Sequence, residues 1–431
     1  MHEPMADVSN LNDLRVILSL EQAAVLRLAD LGVSVFITGK AGTGKTTLLK
    51  SIVQSLSAKY GEECVFVTSS TGASACHIEG TTVHSFGGIG YGEGTIEEIM
   101  RKMYPRPRQR WKVAKALIID EISMLPPEIF DLLEEIARRI RKSSFPFGGI
   151  QIIVCGDFYQ LSPVYKNGEE VKYCFEAKSW KNVIQRSIEL KTVFRQREAA
   201  FLKVLEDVRH GLITPDVVAI LRTRVHADLS KFTGTKFRPP RLRSLRETVA
   251  RENEEELKKL TGDGVKSTAI DTATNTIYLN MLKSNCQAPD VLYMREGAQV
   301  LLLRNMDVLS GLCNGAVGVI KGFENGQPLV EFASGVISVQ KMKWEIKVGK
   351  EVMASRYQFP LILGWSVTIH KSQGMTLDCA DVELSRLFAA GQGYTALSRV
   401  RSLDGLSIDA IPTVSSIATN QKVEEYYKNL Q

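Results

Sequence analysis

The run "FITGKAGTGKTT" at 36–47 limits the possible folds of this chain more than any other feature. An apolar, β-rich segment leads into it, and an amphipathic segment, "TTLLKSIVQSLSA", follows. The run fits the spacing G-x-x-x-x-G-K-[ST] through Gly39, Gly44, Lys45 and Thr46. The context this spacing needs is a β-strand before it and a helix after it. The glycines let the backbone curl so that successive N–H groups point inward at a phosphate chain, and the helix N-terminus adds partial positive charge. Lys45 is expected to bridge the β- and γ-phosphates of ATP, and Thr46 to ligate Mg2+. Ala41, Gly42, Thr43 and Thr47 complete the cradle.

Further short apolar runs follow the same logic: "CVFVTS" (64–69), "KALIID" (115–120) and "IQIIVCGD" (150–157). They are apolar throughout, as strands covered on both faces are. Helical segments alternate with them. One of these, "PPEIFDLLEEIARRIRK", opens on prolines and carries acids early and bases late, which complements the helix dipole. The alternation implies a parallel sheet. Residues 80–112 interrupt it and read as a small inserted subdomain. At 431 residues the chain is too long for one core, and about three domains are expected. The first spans 1–190. The second combines 191–240 with 359–431 and encloses an inserted unit, 241–358. Within the insert, 298–345 reads as a small β-barrel with hairpin turns at Asn314-Gly315 and Asn325-Gly326.

With 44% hydrophobic and 24% charged residues, the chain has a soluble, folded composition. No apolar run is long enough to span a bilayer, and "MHEPMADVSN" has no secretory pattern. Seven unpatterned cysteines suggest free thiols in a reducing compartment. The net charge of +6 permits a polyanionic partner. "RKMYPRPRQRWKVAK" (101–115), with Tyr104 and Trp111, and "RRIRK" (138–142) concentrate cations beside rings. That mixture suits nucleic acid, and equally a solvated helix face.

Two carboxylates, Asp120 and Glu121, close the run "LIIDEIS". Adjacent acids at the end of a buried strand repel unless a cation sits there. Asp120 is therefore expected at Mg2+ and Glu121 at an attacking water. Gln160, in "GDFYQLSPV", has a donor and an acceptor that can contact a γ-phosphate and a water together.

The set "LSLEQAAVL", "GKAGTGKTT", "TSSTGASACHIEGTTVHSFGGIG", "DEIS", "GDFYQLSPV", "VFRQ", "GAQVLLLRN", "IHKSQGMTLD" and "GYTALSRV" resembles the superfamily-1 DNA helicases of the petite-integration-frequency (Pif) class. The motifs stand in family order from about 18 to 403. Ser162 departs from the pattern, standing where the family often has a second proline. The resemblance implies an α/β fold of two RecA-like P-loop domains with parallel sheets, plus inserted subdomains including an SH3-like β-barrel. ATP would lie in the cleft between the domains. Arg399 and Arg195 would reach its γ-phosphate, Gln22 would read the adenine edge, and Gln373 with Gly374 would join the γ-phosphate region to the DNA track.

By the same resemblance, Thr71, Gly72, Ala73, Thr82, His84, Ser85 and Phe86 would touch single-stranded DNA from the first domain, with Phe86 stacking on a base. His370 and Ser372 would do so from the second domain. Lys371 is left between nucleotide and DNA. The implied activity is ATP-dependent 5′→3′ unwinding of duplex DNA, G-quadruplexes included, in replication, repair, recombination or telomere maintenance. The expected partners are single strands and single-strand/duplex junctions, and a monomer is expected. The expected location is cytoplasmic for a bacterial or viral member and nuclear for a eukaryotic one. Two alternatives stay open: a translocase that strips proteins from single strands, and a nucleotide-switched DNA-binding protein that does not travel.

Overall fold

The structure, a computed structural model, describes residues 18–430 apart from 79, 91, 166–168, 234–236, 263, 308–309 and 349–350. The segment read as lacking a secretory pattern, and the first 17 residues assigned to the first domain, lie outside the described residues.

Six strands form a wholly parallel sheet: β1 (Val35–Gly39), β2 (Val65–Ser69), β3 (Thr81–Thr82), β4 (Ala116–Asp120), β5 (Gln151–Cys155) and β6 (Arg186–Leu190). Their order is β3-β2-β4-β5-β1-β6. Successive side chains of a strand point to opposite faces, so a run that is apolar at every position needs cover on both. Val35 and Ile37 pack against Leu48, Leu49, Ile52 and Leu56 of the helix α2 (Lys45–Tyr60), with Val25 of α1 (Leu20–Asp30) behind them. Phe36, Leu117, Ile119 and Val154 face the other way, into a core with Phe130, Leu133 and Ile136 of the helix Pro127–Arg141. Each such aliphatic side chain contributes about 1.5–3 kcal/mol by leaving water. Because the strands are parallel, the loops after all six leave the sheet at one edge. In open α/β sheets that carboxyl edge is where ligands bind.

The segment 80–112 is bound into this unit. β3 pairs with β2, and Phe86, Ile99, Met103 and Trp111 join the same core. Trp111 lies 4.6 Å from Phe86 and donates its indole N–H to the Gly87 carbonyl at 3.1 Å. The expectation of a free basic and aromatic surface is therefore corrected in part: Trp111 and Arg110 are buried, whereas Tyr104 is exposed. In "RRIRK", Arg138 pairs with Glu134 and Arg139 with Glu97 and Glu135, while Arg141 caps the carbonyls of Trp111, Lys112 and Ala114.

A second parallel sheet orders its strands as 366–368, 241–243, 380–382 and 406–408. The strand Arg241–Arg243 lies in the segment assigned to the inserted unit, yet it pairs on both sides within this sheet. Its core residues, among them Leu242, Val367, Val382 and Leu406, are continuous with those of the first sheet. The C-terminal helix Gln421–Lys428 returns to the first domain, where Tyr427 bonds Thr38 at 2.5 Å and Tyr426 stacks on Phe175 at 4.2 Å.

A five-stranded antiparallel sheet, in the order 335–338, 327–332, 317–324, 299–302, 361–363, takes four strands from the insert and its last, 361–363, from the segment assigned to the second domain. Asn325 and Gly326, both at positive φ (49° and 77°), make the expected tight hairpin. Asn314-Gly315 does not. It lies in a longer connection from 303 to 316, where a Cβ on Gly315 would stand 2.9 Å from the Thr376 carbonyl oxygen. No helix among the described residues is long and apolar enough to cross a membrane.

Candidate active site

The loop after β1 is shaped by contacts that only glycine tolerates. Gly42 and Gly44 adopt φ of 82° and 77°. A Cβ on Gly42 would lie 2.6 Å from Arg195 Cβ, and one on Gly44 would lie 2.7 Å from the Gln22 amide nitrogen. Lys45 opens α2 and turns its ammonium back onto the Gly39 and Lys40 carbonyls, at 2.7 and 3.0 Å. Thr43 is buried and donates to the Lys40 carbonyl, Thr46 is half-buried and Thr47 is exposed. Gln22 is buried: its amide donates to the Thr43 carbonyl at 3.2 Å, and its oxygen accepts the Ser19 N–H at 2.9 Å. The Phe194 ring, 52% exposed, stands against Gly44 and beside Gln22.

Between β1 and β4 lies β5, so the loops of all three converge. Asp120 is buried at the end of β4 and accepts the N–H of Glu121 at 2.9 Å. Glu121 sits at φ 51°, a left-handed conformation uncommon outside glycine. Burial, then the charge of Asp120, push the Glu121 carboxyl up to about 7, against the pull of Lys45 and Arg399. Burial also raises Asp120. A pair of desolvated carboxylates at the end of β4 is a hard-oxygen set that suits a divalent cation with water and phosphate completing the shell. Among the described residues no cluster of three or more metal-ligating side chains forms.

After β5, Gln160 is buried with its amide 3.3 Å from Asp157. Asp157 is fully buried and takes Arg209 at 3.1 Å and the Tyr159 N–H at 3.2 Å. The Arg209 guanidinium also lies over the Tyr159 ring at 4.1 Å. Two carbonyl-proximal arginines complete the site from the other side. Arg399 is buried, with Nε on the Thr395 carbonyl and Nη2 on the Ser398 hydroxyl, both at 2.9 Å. Burial lowers its pKa, and the Glu121 charge opposes that. Arg195 reaches the Ser398 carbonyl at 2.9 Å. Burial, then repulsion from Arg399, take Arg195 down to about 9. The structure thus brings Lys45, Asp120, Glu121, Arg195 and Arg399 together, although Lys45 and Arg399 come from different sheets.

Other predicted residues separate from this group. Gln373 and Gly374 stand on the turn after the strand 366–368, and among the described residues no hydrogen bond ties them to the loop of Lys45. The Gln373 amide nitrogen is buried without a partner. Ser372 is buried and bonds the Ile369 carbonyl. Burial and then Arg246 lower the pKa of both His370 and Lys371, so the His370 ring, Lys371 and Arg246 lie together at the carboxyl edge of the second sheet.

Thr71 and Thr82 cap short helices, accepting from the Ser74 and Ser85 N–H. Gly72 and Ala73 open the first of these, and the side chain of Ala73 lies outside the described residues. His84 is half-buried, and burial lowers its pKa. Ser85 is buried with its hydroxyl unpartnered. Phe86 has no exposed surface. It packs against Phe66 at 5.1 Å, which corrects the expectation that it stacks on a base. Asp157, Phe194, Tyr394 and Arg246 escaped sequence reasoning. Three of them lie inside quoted motifs, and Arg246 lies in weakly patterned sequence.

A model described as "PIF1-like helicase" matches residues 17–216, and one described as the 2B domain of DNA helicase Pif1 matches 278–323. The ATP-dependent DNA helicase PIF1 of Danio rerio is 44% identical over 421 residues, covering 96% of this chain and 64% of that protein. This chain thus spans slightly less than two thirds of the length of this relative and of the human one. The crystal structure of the Candida albicans Pif1 helicase has a TM-score of 0.78 at 38% identity, covering 96% of this chain and 100% of that one. The Bacteroides Pif1 helicase in complex with ADP-AlF3 and single-stranded DNA has a TM-score of 0.66 at 30% identity, covering 96% and 97%.

Proposed function

The chain belongs to the PIF1-like helicase family, and from this we infer that it couples ATP hydrolysis to movement along single-stranded DNA and so separates duplexes. One observation carries the reading beyond family membership: Arg399, from the second sheet's side, is buried within the electrostatic reach of Glu121, which Lys45 of the first also reaches.

In this reading the loop 39–47 cradles the triphosphate and Lys45 leaves the Gly39 and Lys40 carbonyls for its β- and γ-oxygens. Thr46 and Asp120 would hold Mg2+, which would neutralise phosphate charge. Glu121 takes the proton of the attacking water, and Gln160, steadied by Asp157, orients that water. Arg195 and Arg399 stabilise charge on the transferring phosphoryl group. Such an arginine is worth about 10³–10⁵ in rate, or about 4–7 kcal/mol of barrier. Since it acts only when the second domain is docked, closure and hydrolysis are coupled. Gln22 reads the adenine edge, and the exposed ring of Phe194 is placed to stack on that base.

The DNA track runs over Thr71, Gly72, Ala73, Thr82, His84 and Ser85 and then over His370 and Ser372, with Lys371 and Arg246 supplying cations. Gln373 and Gly374 join the two sites. We assign the units as 18–190, then 191–240 with 359–430, and the insert 241–358, with the strand 241–243 shared into the second sheet. Polarity is 5′→3′, the working unit is a monomer, and single-strand/duplex junctions and G-quadruplexes are the substrates. The place of action is the nucleus in a eukaryote and the cytoplasm in a bacterial or viral setting.

Tailed duplexes of both polarities, incubated with ATP or with a non-hydrolysable analogue, test this. Unwinding of the 5′-tailed duplex with ATP alone is expected. ATP turnover with displacement of a bound protein but no unwinding would indicate the translocase, and nucleotide-dependent gripping without turnover would indicate the switch.

A further inference from the structure

The helix Gln392–Leu397 carries no charged side chain, yet it touches the first domain at two points. Gly391, at φ 76°, leads into it against the Gln160 loop, where a Cβ would meet the Gln160 carbonyl carbon at 2.6 Å and the Tyr159 carbonyl oxygen at 2.8 Å. One turn later the buried phenol of Tyr394 accepts the N–H of Ala41 at 2.8 Å, across 353 positions of sequence. Ala41 is the third residue of the phosphate loop, so this amide is held by the other domain.

The same helix holds Arg399. The Thr395 carbonyl takes Nε and the Ser398 hydroxyl takes Nη2. The Ser398 carbonyl in turn takes Arg195 at 2.9 Å and the Gln196 amide at 3.1 Å. A displacement of the helix therefore moves both guanidinium groups at once. Among the described residues, the Tyr394–Ala41 bond is the direct polar tie between that helix and the phosphate loop.

We propose that Tyr394 is a positioning residue: its hydroxyl fixes the arginine-bearing helix on the phosphate loop, so that Arg399 is aligned at the transferring phosphoryl group whenever the cleft is shut. It touches no reacting atom and acts through Arg399. The inference rests on the ATP-hydrolysing reading of this site and adds to it a residue that sets the geometry of closure. Replacing the hydroxyl by hydrogen keeps the ring and its packing, and leaves the Ala41 N–H without its acceptor.

The test is Tyr394→Phe, measured as single-strand-stimulated ATP hydrolysis alone and in an Arg399→Ala background. With the single variant, kcat should fall about tenfold, the effect of one hydrogen bond, and the KM for ATP should stay within about twofold. In the Arg399→Ala background, Tyr394→Phe should lower kcat by clearly less than that tenfold, because the main group it positions is gone and only Arg195, held through the Ser398 carbonyl, is left to shift. Binding of a fluorescent ATP analogue at parental affinity shows that the variant is folded.

Parental kcat in Tyr394→Phe overturns the proposal, and so does an additive loss in the double variant, which marks general destabilisation. If the parent hydrolyses ATP and Tyr394→Phe matches it, the positioning role falls and the proposed function stands. If the parent shows no strand-stimulated hydrolysis, both fall.

Discussion

Replacing Gly391 by alanine should uncouple the two halves of the site without altering any catalytic side chain. At φ 76° an L-residue is strained, by about 1–2 kcal/mol. The added Cβ would press first on the Gln160 carbonyl oxygen and stand 2.6 Å from its carbon, whereas ordinary contact begins at 3.4 Å, so the helix must retreat by roughly 1 Å or more. Overpacking of this kind costs about a further 1–3 kcal/mol. A shift near 1 Å in a catalytic group is worth about 10² in rate. The kcat for strand-stimulated phosphate release should therefore fall about 100-fold. Affinity for an ATP analogue should change far less, because the phosphate loop belongs wholly to the first domain. Gly391→Asn separates the two causes, since asparagine tolerates positive φ but still carries a Cβ. A Gly391→Ala protein that is folded and turns over ATP within threefold of the parent would refute the reasoning. A normal Gly391→Asn beside an impaired Gly391→Ala would assign the loss to strain instead of contact.

Other outcomes follow from buried groups. Arg209→Met strands the Asp157 carboxylate, fully buried and bonded to Arg209 at 3.1 Å; a loss of about 3–5 kcal/mol in urea unfolding is expected. Phe86→Ala should cost about 3–5 kcal/mol by opening a cavity beside Phe66 and Trp111. A folded Phe86→Leu should keep its affinity for single strands, and a selective loss of that affinity would restore the stacking role. His210 faces Glu206, Glu424 and Arg209, with Tyr159 against its ring and Lys40 beyond Glu206. The Glu206 bond, outweighing burial, and then Glu424 raise its pKa. Its stabilising effect is therefore complete below the unfolded value of about 6.5 and is lost as pH rises through the folded one. Thermal denaturation from pH 6 to 9 should show this decline in the parent and a flatter profile in His210→Gln.

What the sequence displays plainly is what local spacing dictates. The phosphate loop must follow a strand and precede a helix, and Asp120 and Glu121 must end a strand that is apolar at every position. Both follow from rules that act within about ten residues. Long-range partners leave no such mark. Tyr394 finds Ala41 across 353 positions and Tyr427 finds Thr38 across 389, and nothing local distinguishes these tyrosines from others. The ring of Trp111 reads as surface because cations crowd its neighbourhood, and that of Phe86 because the family resemblance sets it on the DNA track. In the helix Pro105–Val113 the buried face is Pro107, Arg110 and Trp111, so a charged residue sits in the apolar stripe and hides the period. The strand 241–243 has three residues, too few to show any pattern, and it follows two prolines.

The central claim is that one triphosphate is shared between the loop of Lys45 and the guanidinium of Arg399. Single-turnover hydrolysis of ATP by Arg399→Ala, with single-stranded DNA saturating, tests it most directly. The account predicts a rate lower by about 10³-fold or more, with nucleotide still bound. Hydrolysis at the parental rate would contradict it.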